Sequence, residues 1–376
     1  MKNIPFHKPH IGRQAQKMIS AILKSGWLTT GARVKEFEEG VLNLLGLKYT
    51  AAVSSGTAAL HLAYLTLDLK AGDEVIVPSF TFCSTINMIV HTGATPIFCD
   101  IDSKTLCIDT TELAKKITDK TKAVVVVHFA GMPADLDKIG SICAERGIPI
   151  IEDAAHAFLT EYKGKYIGAH GNTTCFSFYV TKTITTAEGG MVATASSDII
   201  ERVYRLSLHG LSRGAEKRYN IGGSWKYSVL EPGYKYNLSD VHATIGLSQL
   251  PNVLRDKKER TEIANLYREL LKSCKDIELP IDPPYEKSSH VWHLFTILVK
   301  DQTKRDVLIE WLKERGVGVS VHFQPNHLQP AYHVADSRLP VTEKIGDSIL
   351  SLPIYPGLKK GEVKYIVLLI KEFFSK

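Results

Sequence analysis

Residues 123–153 have the sequence AVVVVHFAGMPADLDKIGSICAERGIPIIED, and this stretch decides the fold class. It begins with a continuous apolar run rich in valine, continues with a segment of helical period, and ends in a second apolar run, IPIIED. Two fully buried strands joined by a helix form a βαβ unit, in which the strands lie parallel. The stretch therefore predicts a parallel sheet covered by helices on both faces.

The same alternation extends in both directions, from about residue 50 to residue 195. Further strand candidates are TAAVS, EVIVPS, TPIFCD, TTCFSF and GGMVAT, and further helix candidates are TAALHLAYLTLDL, STINMIVHTG and TTELAKKI. We therefore predict an α/β fold with a mostly parallel sheet flanked by helices. Such sheets bind ligands at the carboxyl ends of their strands, so the residues directly after these runs are the candidates for function.

The pattern changes after Gly233. A long helical segment, residues 239–273, contains Pro251, which predicts a kink or a new helix start. We expect this segment to join a large domain of residues 1–245, including the N-terminal segment, to a smaller C-terminal α+β domain of residues 246–376. Beyond it the pattern predicts a Pro-rich turn (281–290), a strand (291–299, VWHLFTILV), a helix (304–316) and a strand (317–323, VGVSVHF).

The composition is that of an ordinary soluble globular protein: 376 residues, 44% hydrophobic and 23% charged. The net charge of +6 comes from scattered Lys and Arg, which disfavours nucleic acid as a partner and suits an anionic small substrate. No stretch approaches the ~18 apolar residues of a transmembrane helix, so we expect a cytoplasmic protein without a membrane partner. The six cysteines form no CxxC pair, which predicts reduced thiols, mostly buried, and no metal site.

Lys182 lies in the segment FSFYVTKTITTAEGG (176–190), which carries no other charge until Glu188. An uncharged environment lowers the pKa of a lysine and makes its amine a nucleophile toward an aldehyde. The alternative is a lysine that reaches the surface from a strand end, and for an isolated lysine this alternative is the commoner one.

Asp153 ends the apolar run IPIIED, so its carboxylate projects from a strand end into the crevice of the sheet. A pyridoxal 5'-phosphate (PLP) enzyme needs such an acid, because a carboxylate beside the ring nitrogen keeps that nitrogen protonated. The alternative is a cap of the following helix. Glu152 alternates to the opposite side of the strand, where we expect a structural role.

The segment SSGTAALH (54–61) leads from a strand into a helix through small residues. Backbone N–H groups at a helix start, with the hydroxyls of Ser55 and Thr57 nearby, can bind a phosphate. The segment alone is weakly specific, because many helices begin in this way without a ligand. It gains weight because the phosphate site, the acid and the lysine all follow strand ends.

With these three parts together, the sequence resembles the DegT/DnrJ/EryC1/StrS family of PLP-dependent sugar aminotransferases. The resemblance covers nearly the whole chain and implies the fold type I architecture of aspartate aminotransferase. The matching segments are SGWLTTG (25–31), VSSGTAALHLA (53–63), GDEVIVPSFTF (72–82), GATPIFCDID (93–102), VHFAGMPADLD (127–137), IEDAAHA (151–157), FSFYVTK (176–182), EGGMV (188–192), PGYKYNLSD (232–240) and VHFQPNHLQPAY (321–332).

The resemblance implies a role for each cofactor residue. Lys182 forms the Schiff base with PLP and then moves the proton between cofactor and substrate carbon. Asp153 pairs with the pyridine nitrogen, Phe82 stacks on the ring, and His156 flanks the ring near its O3′ oxygen. The phosphate is held by Gly56, Thr57 and Ser177. Judged without the family, Phe82 would be a core aromatic, His156 a loop histidine and Ser177 a strand serine.

Two positions depart from the commonest family pattern. Many members carry a GxNxR motif where this chain has Gly233, Lys235 and Asn237 in GYKYN, and Thr183 follows the lysine where Asn or Pro is common. In members with GYKYN the Asn reaches the phosphate of a neighbouring subunit. The resemblance therefore implies that Asn237 has this role in a homodimer with shared active sites, and it leaves the role of Lys235 open.

The remaining motifs concern the substrate. Residues that resemble positions lining the nucleotide-sugar pocket are Trp27, Thr29, Thr30, Tyr179, His322 and His327. The alternatives are an ordinary packing role for Trp27 and a buried pair for the two histidines. His290 and His293 have the i, i+3 spacing of metal ligands, but on the predicted strand their side chains face opposite ways, so we predict no metal site.

The resemblance implies transfer of an amino group from an amino acid, expected to be glutamate, to a nucleotide-linked 4-keto sugar. The nearest likeness is to enzymes that aminate UDP-4-keto sugars for surface polysaccharide, lipid A or other glycans. The alternatives are a PLP-dependent sugar dehydratase, in which a His replaces the lysine, and a regulatory homologue that binds PLP or an amino sugar without turnover. A nucleotide-sugar dehydrogenase or epimerase is disfavoured, since no GxGxxG follows a strand.

Overall fold

The structure, a computed structural model, describes residues 3–212, 226–332 and 338–375. The first half of the chain contains nine strands within these residues. They are β1 (Tyr49–Val53), β2 (Glu74–Pro78), β3 (Thr95–Cys99), β4 (Thr121–Val127), β5 (Ile150–Asp153), β6 (Glu161–Tyr162), β7 (Lys165–Tyr166), β8 (Thr173–Ser177) and β9 (Gly190–Thr194). Strands β6 and β7 form a two-stranded sheet of their own, and the other strands form one sheet.

The main sheet has the strand order β1-β9-β8-β5-β4-β2-β3. The pairs β3/β2, β2/β4, β4/β5 and β5/β8 are parallel, and β9 runs antiparallel to both of its neighbours, β8 and β1. The predicted mostly parallel sheet is confirmed, with each predicted strand in place. The carboxyl ends of β2, β4, β5 and β8 therefore meet at one edge.

Helices cover both faces of this sheet, as predicted. They are α1 (Arg13–Ser25), α2 (Ala32–Leu45), α3 (Gly56–Leu65), α4 (Cys83–His91), α5 (Thr110–Lys116), α6 (Leu136–Ala144) and α7 (Ser197–Ser207). Val125 of β4 lies in the same apolar cluster as Ala59 of α3, whereas its neighbour Val124 lies in the cluster of Phe37 and Ile139, from α2 and α6. Successive residues of a central strand are thus buried on opposite faces, which explains the uninterrupted valine run.

The C-terminal part contains α8 (Asp240–Leu247), α9 (Val253–Leu271), β10 (Ile277–Glu278), β11 (Phe295–Val299), α10 (Arg305–Glu314), α11 (Pro340–Ser348), β12 (Ile349–Leu352) and α12 (Lys360–Phe374). The three strands form an antiparallel sheet of order β10-β11-β12. Tyr267, Leu312 and Ile366, from α9, α10 and α12, share an apolar cluster with Phe295 of β11. A domain boundary near residue 245 stays a prediction.

Pro251 lies in a short 3₁₀ turn, Leu250–Asn252, between α8 and α9, so the predicted helix start is confirmed. Two predicted strands are wrong or incomplete. The strand expected over 291–299 begins only at Phe295, because the chain turns at Trp292, which has a φ of 53°. The strand expected over 317–323 forms only single bridges, from Val317 to Ile4 and from Ser320 to Ser351.

Among the described helices, none has both the length and the apolar character needed to cross a membrane. The cytoplasmic location stays a prediction. All six cysteines are free thiols; Cys83 is exposed and Cys274 is half-buried, while the others are buried.

Candidate active site

Asp153 is the last residue of β5, and only 5% of its surface is exposed. Its Oδ2 atom accepts a hydrogen bond of 2.7 Å from the hydroxyl of Thr85, and its Oδ1 atom accepts one of 3.1 Å from the backbone N–H of Ala155. Burial raises the pKa of the carboxyl group, while these two hydrogen bonds and the ammonium of Lys182 act in the opposite direction. The acid is therefore oriented at both oxygens and remains close to a cation.

Glu152 lies on the other side of β5, as predicted. Its carboxylate is fully buried and contacts the ring of His128 at 2.8 Å and the amide of Asn172 at 2.8 Å. These contacts satisfy the charge inside the fold and away from the strand-end crevice. Glu152 therefore has a structural role.

Lys182 follows β8 in an irregular loop, where its backbone N–H donates a 2.9 Å hydrogen bond to the carbonyl of Tyr179. Burial lowers the pKa of its ammonium to about 8, and the carboxylate of Asp153 acts against this change. The pKa of Lys182 is thus lowered, as expected from the uncharged sequence around it. An amine with this pKa is partly unprotonated near neutral pH and can act as a nucleophile or a base.

The start of α3 lies against the end of β8. Ser55 is the N-cap of α3, and its hydroxyl accepts a hydrogen bond of 3.0 Å from the backbone N–H of Ala58. Next to it, a Cβ atom added to Gly56 would lie 2.8 Å from Cβ and 3.2 Å from Oγ of Ser177. The N–H of Ala58 is thus paired with Ser55, and the N–H groups of Gly56 and Thr57, which have no partner within a helix, can bind an anion.

Two rings lie at the edge of this crevice. Phe82 is the N-cap of α4 and has 57% of its surface exposed. His156 accepts a 3.2 Å hydrogen bond at Nδ1 from the backbone N–H of Ala130, and burial holds its pKa well below the ordinary range. The neutral ring therefore carries its proton on Nε2, which is a donor. Phe323 stacks on His156 with 5.8 Å between ring centroids.

These parts line one cavity of about 630 Å³. The predicted residues that line it are Gly56, Thr57, Phe82, Asp153, His156, Ser177, Tyr179, Lys182 and His322. The cavity thus brings together the lysine, the acid and the helix start that the sequence placed after separate strands. Five predicted residues, Trp27, Thr29, Thr30, Asn237 and His327, do not line it.

The DegT/DnrJ/EryC1/StrS aminotransferase family matches the chain over residues 9–371. The chain belongs to this family. Two relatives match almost end to end: protein MJ1066 of Methanocaldococcus jannaschii is 42% identical over 380 residues, 99% of this chain and 98% of that protein. The spore coat polysaccharide biosynthesis protein SpsC of Bacillus subtilis is 38% identical over 377 residues, 98% of this chain and 96% of that protein.

Solved structures give the same assignment. The aminotransferase TlmJ of Streptoalloteichus hindustanus superposes with a TM-score of 0.93 at 30% identity, over 100% of this chain and 99% of that chain. PseC of Helicobacter pylori, an aminotransferase of pseudoaminic acid biosynthesis, superposes with a TM-score of 0.91 at 28% identity, over 100% of both chains. Spr1654 of Streptococcus pneumoniae, solved in its PLP form, has a TM-score of 0.92 at 30% identity, over 100% of this chain and 99% of that chain. The chain is a PLP-dependent sugar aminotransferase of fold type I.

The cavity of this sugar aminotransferase fits PLP. An aldehyde needs an amine, and Lys182 supplies one; a pyridine nitrogen needs an acid, and Asp153 lies in the same cavity. A phosphate needs N–H and hydroxyl donors without a side chain in the way, and the close contact of Gly56 with Ser177 leaves such a place. These individual roles stay predictions.

Asn237 and the predicted substrate residues of the N-terminal segment form a separate cluster in this sugar aminotransferase. The amide of Asn237 donates a hydrogen bond of 2.7 Å to the hydroxyl of Thr30, and Trp27 Nε1 donates one of 3.2 Å to the Thr30 carbonyl. The Thr29 carbonyl accepts a 3.1 Å hydrogen bond from the N–H of Asp240. Since the cluster does not line its own cavity, its predicted role depends on a second subunit and stays a prediction. Lys235 forms a single backbone bridge with Leu208, and its role stays open.

His327 does not line the cavity of its own protomer, and its predicted substrate role stays a prediction. Its side chain is 2% exposed, and both ring nitrogens are occupied: Nδ1 contacts the hydroxyl of Ser79 at 2.7 Å and Nε2 contacts Glu343 at 3.2 Å. Through Ser79, the ring connects the segment after residue 323 to the end of β2. His327 is therefore a packing residue with satisfied hydrogen bonds.

The reason given against a metal site at His290 and His293 was wrong, because neither residue is in a strand. His290 stacks on Trp292 with 4.1 Å between ring centroids and accepts the Trp292 backbone N–H at 2.8 Å. His293 instead lies 4.4 Å from the ring of His156 and lines the cavity. The turn at Trp292 thus gives the two rings different neighbours.

Several cavity residues were missed by the sequence analysis: Phe6, His7, Glu188, His293, Val321 and Phe323. Phe6 and His7 lie in an N-terminal segment without strand or helix pattern, and only the segment's apolar start, NIPF, indicates packing. Thr85, which contacts Asp153, looked like an ordinary position in the first turn of a helix. Short-range patterns do not reveal such long-range contacts.

Proposed function

We propose that this sugar aminotransferase transfers the amino group of glutamate to the C4 ketone of a UDP-linked sugar. The product is a 4-amino-4-deoxy sugar for a surface polysaccharide, lipid A or another glycan. The observation that carries the proposal is the position of Lys182: its amine, with a pKa near 8, shares one cavity with the Asp153 carboxylate and the start of α3.

Each residue has a defined task in this reaction. Bound PLP supplies an aldehyde that accepts and returns the amino group and a ring that withdraws electrons from the reacting carbon. Asp153 holds a proton on the ring nitrogen, and the N–H groups at the start of α3, with Ser177, hold the phosphate. Lys182 takes the proton from the Cα atom of glutamate and moves it to the carbon on the other side of the transferred nitrogen, and it moves a proton in the opposite sense for the sugar; a positioned base of this kind contributes ~10²–10⁴-fold to the rate.

Two observations support a sugar that enters a surface glycan. The related SpsC is named for spore coat polysaccharide biosynthesis, and PseC is described as acting in pseudoaminic acid biosynthesis. The cavity is lined by aromatic and imidazole rings, among them Phe6, Phe82, Tyr179 and His322, which suit the polar and C–H faces of a sugar.

A homodimer with shared sites is part of the proposal. Asn237 belongs to a cluster with Trp27 and Thr30 outside its own cavity, and the amide has room for one more acceptor besides the Thr30 hydroxyl. A phosphate bound by the neighbouring subunit could accept a hydrogen bond from the second N–H of the Asn237 amide. The same cluster offers Trp27 and Thr29 to the neighbour's sugar nucleotide.

The test is a panel of UDP-, GDP- and dTDP-linked 4-keto sugars incubated with holoenzyme and glutamate, scored for 2-oxoglutarate release. We expect release that depends on a UDP-4-keto sugar and disappears in Lys182→Ala. A sugar dehydratase would consume the sugar without forming 2-oxoglutarate in equal amount. A regulatory homologue would bind PLP and turn over neither substrate, and either result would contradict the proposal.

A further inference from the structure

The N-terminal segment is built into the wall of the active site. Ile4 donates a 2.8 Å hydrogen bond to the carbonyl of Gly316 and accepts one of 2.8 Å from Gly318. A Cβ atom on Gly318 would lie 2.6 Å from the backbone nitrogen of Phe6, so the two backbones touch where only glycine fits. This contact holds Phe6 and His7 against the cavity.

Both side chains then face the cavity that contains Lys182. The ring of Phe6 stacks on His322 with 5.6 Å between centroids and an interplanar angle of 24°. The ring of His7 makes an edge contact with Tyr355 at 6.3 Å. The segment thus contributes an aromatic face and an imidazole side by side.

Two imidazole nitrogens of this wall have no hydrogen-bond partner among the described residues. They are Nε2 of His7 and Nδ1 of His293, and both atoms are buried. Buried polar atoms in native proteins are nearly always paired, so two orphans on one cavity wall indicate a ligand that pairs with them. Both rings are neutral, because burial lowers the pKa of His7 to about 4 and that of His293 well below its ordinary value.

A neutral imidazole nitrogen either donates or accepts one hydrogen bond, depending on its tautomer. A hydroxyl group does both and therefore suits either tautomer, whereas a carboxylate only accepts. The aromatic face of Phe6 beside these nitrogens matches the C–H face of a sugar ring. The chemistry of this wall thus favours a polyhydroxyl ring over the carboxylates of an amino acid donor.

We infer that the N-terminal segment forms a sugar-recognition subsite, in which His7 Nε2 exchanges a hydrogen bond with a hydroxyl group of the acceptor sugar, and His293 Nδ1, which lines the same cavity, is available to a second polar group of the sugar. The inference rests on the proposed function and adds the residue that distinguishes sugar from amino acid. His7 then affects the second half-reaction, in which the sugar enters, and not the first.

The experiment follows the two half-reactions of the holoenzyme separately by the absorbance of the cofactor. Glutamate is mixed with the PLP form, and a UDP-4-keto-6-deoxyhexose is mixed with the aminated form in single turnovers. We expect His7→Phe to raise the Kd for the keto sugar at least tenfold. His7→Gln, whose amide reaches the position of Nε2, should stay within threefold of the wild type. The glutamate half-reaction should change less than twofold in both.

His10→Gln is the matched control, because His10 lies on the same segment and contacts Asp256 at 3.1 Å, outside the cavity. It should behave as the wild type. Equal losses in both half-reactions, or an unchanged Kd for the keto sugar in His7→Phe, would overturn the inference. If His7→Phe does not bind the cofactor, His7→Ala tests the same nitrogen without added bulk. Failure of the proposed function looks different: the wild type itself would not release 2-oxoglutarate or consume the keto sugar.

Discussion

The hydroxyl of Thr85 donates a 2.7 Å hydrogen bond to Oδ2 of Asp153, and Thr85 itself lies 2.9 Å from the hydroxyl of Thr81. All three side chains are buried. Since α4 also has Phe82 at its N-cap, one short helix both orients the acid and presents an aromatic ring to the cavity. A hydrogen bond to a buried charge contributes about 1.5–3 kcal/mol, so this contact matters for the acid.

Thr85→Val should therefore weaken PLP binding by at least tenfold. The substitution keeps the shape but removes the hydrogen bond that lowers the pKa of Asp153, so burial raises this pKa further and weakens the pairing with the ring nitrogen. The measurements are the Kd of PLP and the pH at which the cofactor absorbance changes. Thr85→Ser should keep both values near those of the wild type; a valine variant with unchanged values would contradict the role.

Lys182→Met should raise the unfolding midpoint of the cofactor-free protein at pH 7. The pKa of the ammonium falls from 10.5 to about 8 on folding, so the unfolded chain binds this proton more tightly, and burial of the charge costs about 3 kcal/mol below pH 8. Between pH 8 and 10.5 the wild type gains stability as pH rises, and the advantage of the methionine variant should vanish above that window. Denaturant midpoints at pH 7 and pH 10.5 check this.

Lys104→Met is the control for that experiment, because Lys104 is exposed. It should shift neither midpoint measurably. Equal midpoints for the wild type and Lys182→Met at pH 7 would show that the ammonium is well solvated, and the argument for an activated amine would lose its basis.

Gly56→Ala should weaken PLP binding without unfolding the protein. The new Cβ atom would lie 2.8 Å from Cβ and 3.3 Å from Cα of Ser177, so α3 and β8 must separate at the place where the phosphate binds. We expect a Kd for PLP at least tenfold higher by absorbance titration. Gly140→Ala, in α6 with nothing within 4 Å of the added atom, should leave the Kd unchanged. Equal affinities for both variants would exclude the phosphate from this contact.

His327→Phe should lower stability and leave the KM for the keto sugar unchanged. The substitution would remove the ring's hydrogen bonds to the buried hydroxyl of Ser79 and to the half-buried carboxylate of Glu343, and a polar group left unpaired in a buried place costs about 1–3 kcal/mol. Denaturant unfolding and steady-state kinetics together check the packing role. A selective rise in KM with unchanged stability would restore the pocket role that the sequence indicated.

The residues that the sequence identified share a local signal. Asp153 and the loop of Lys182 follow fully buried strands, and parallel strands bring their ends together without further information. Thr85 is 68 residues from its partner Asp153, and His327 is 248 residues from Ser79, so neither contact leaves a trace in a short window. In the C-terminal part, residues 291–294 belong to an apolar run typical of a strand, but the chain turns at Trp292 and the strand begins only at Phe295. Tertiary packing decided these positions.

Lys182→Ala and Asn237→Ala should each be inactive alone and regain activity when mixed. The amide of Asn237 contacts Thr30 outside its own cavity, so in the proposed homodimer it serves the neighbour's phosphate. A mixed dimer then has one site with both defects and one site with none. With random exchange of subunits, half of the dimers are mixed, which predicts about a quarter of wild-type activity.

Lys182→Ala mixed with Asp153→Ala is the matched control: these side chains line one cavity, so each site keeps a defect and no activity returns. If native mass spectrometry shows that mixed dimers form and the mixture of Lys182→Ala with Asn237→Ala still has no activity, the shared site is excluded.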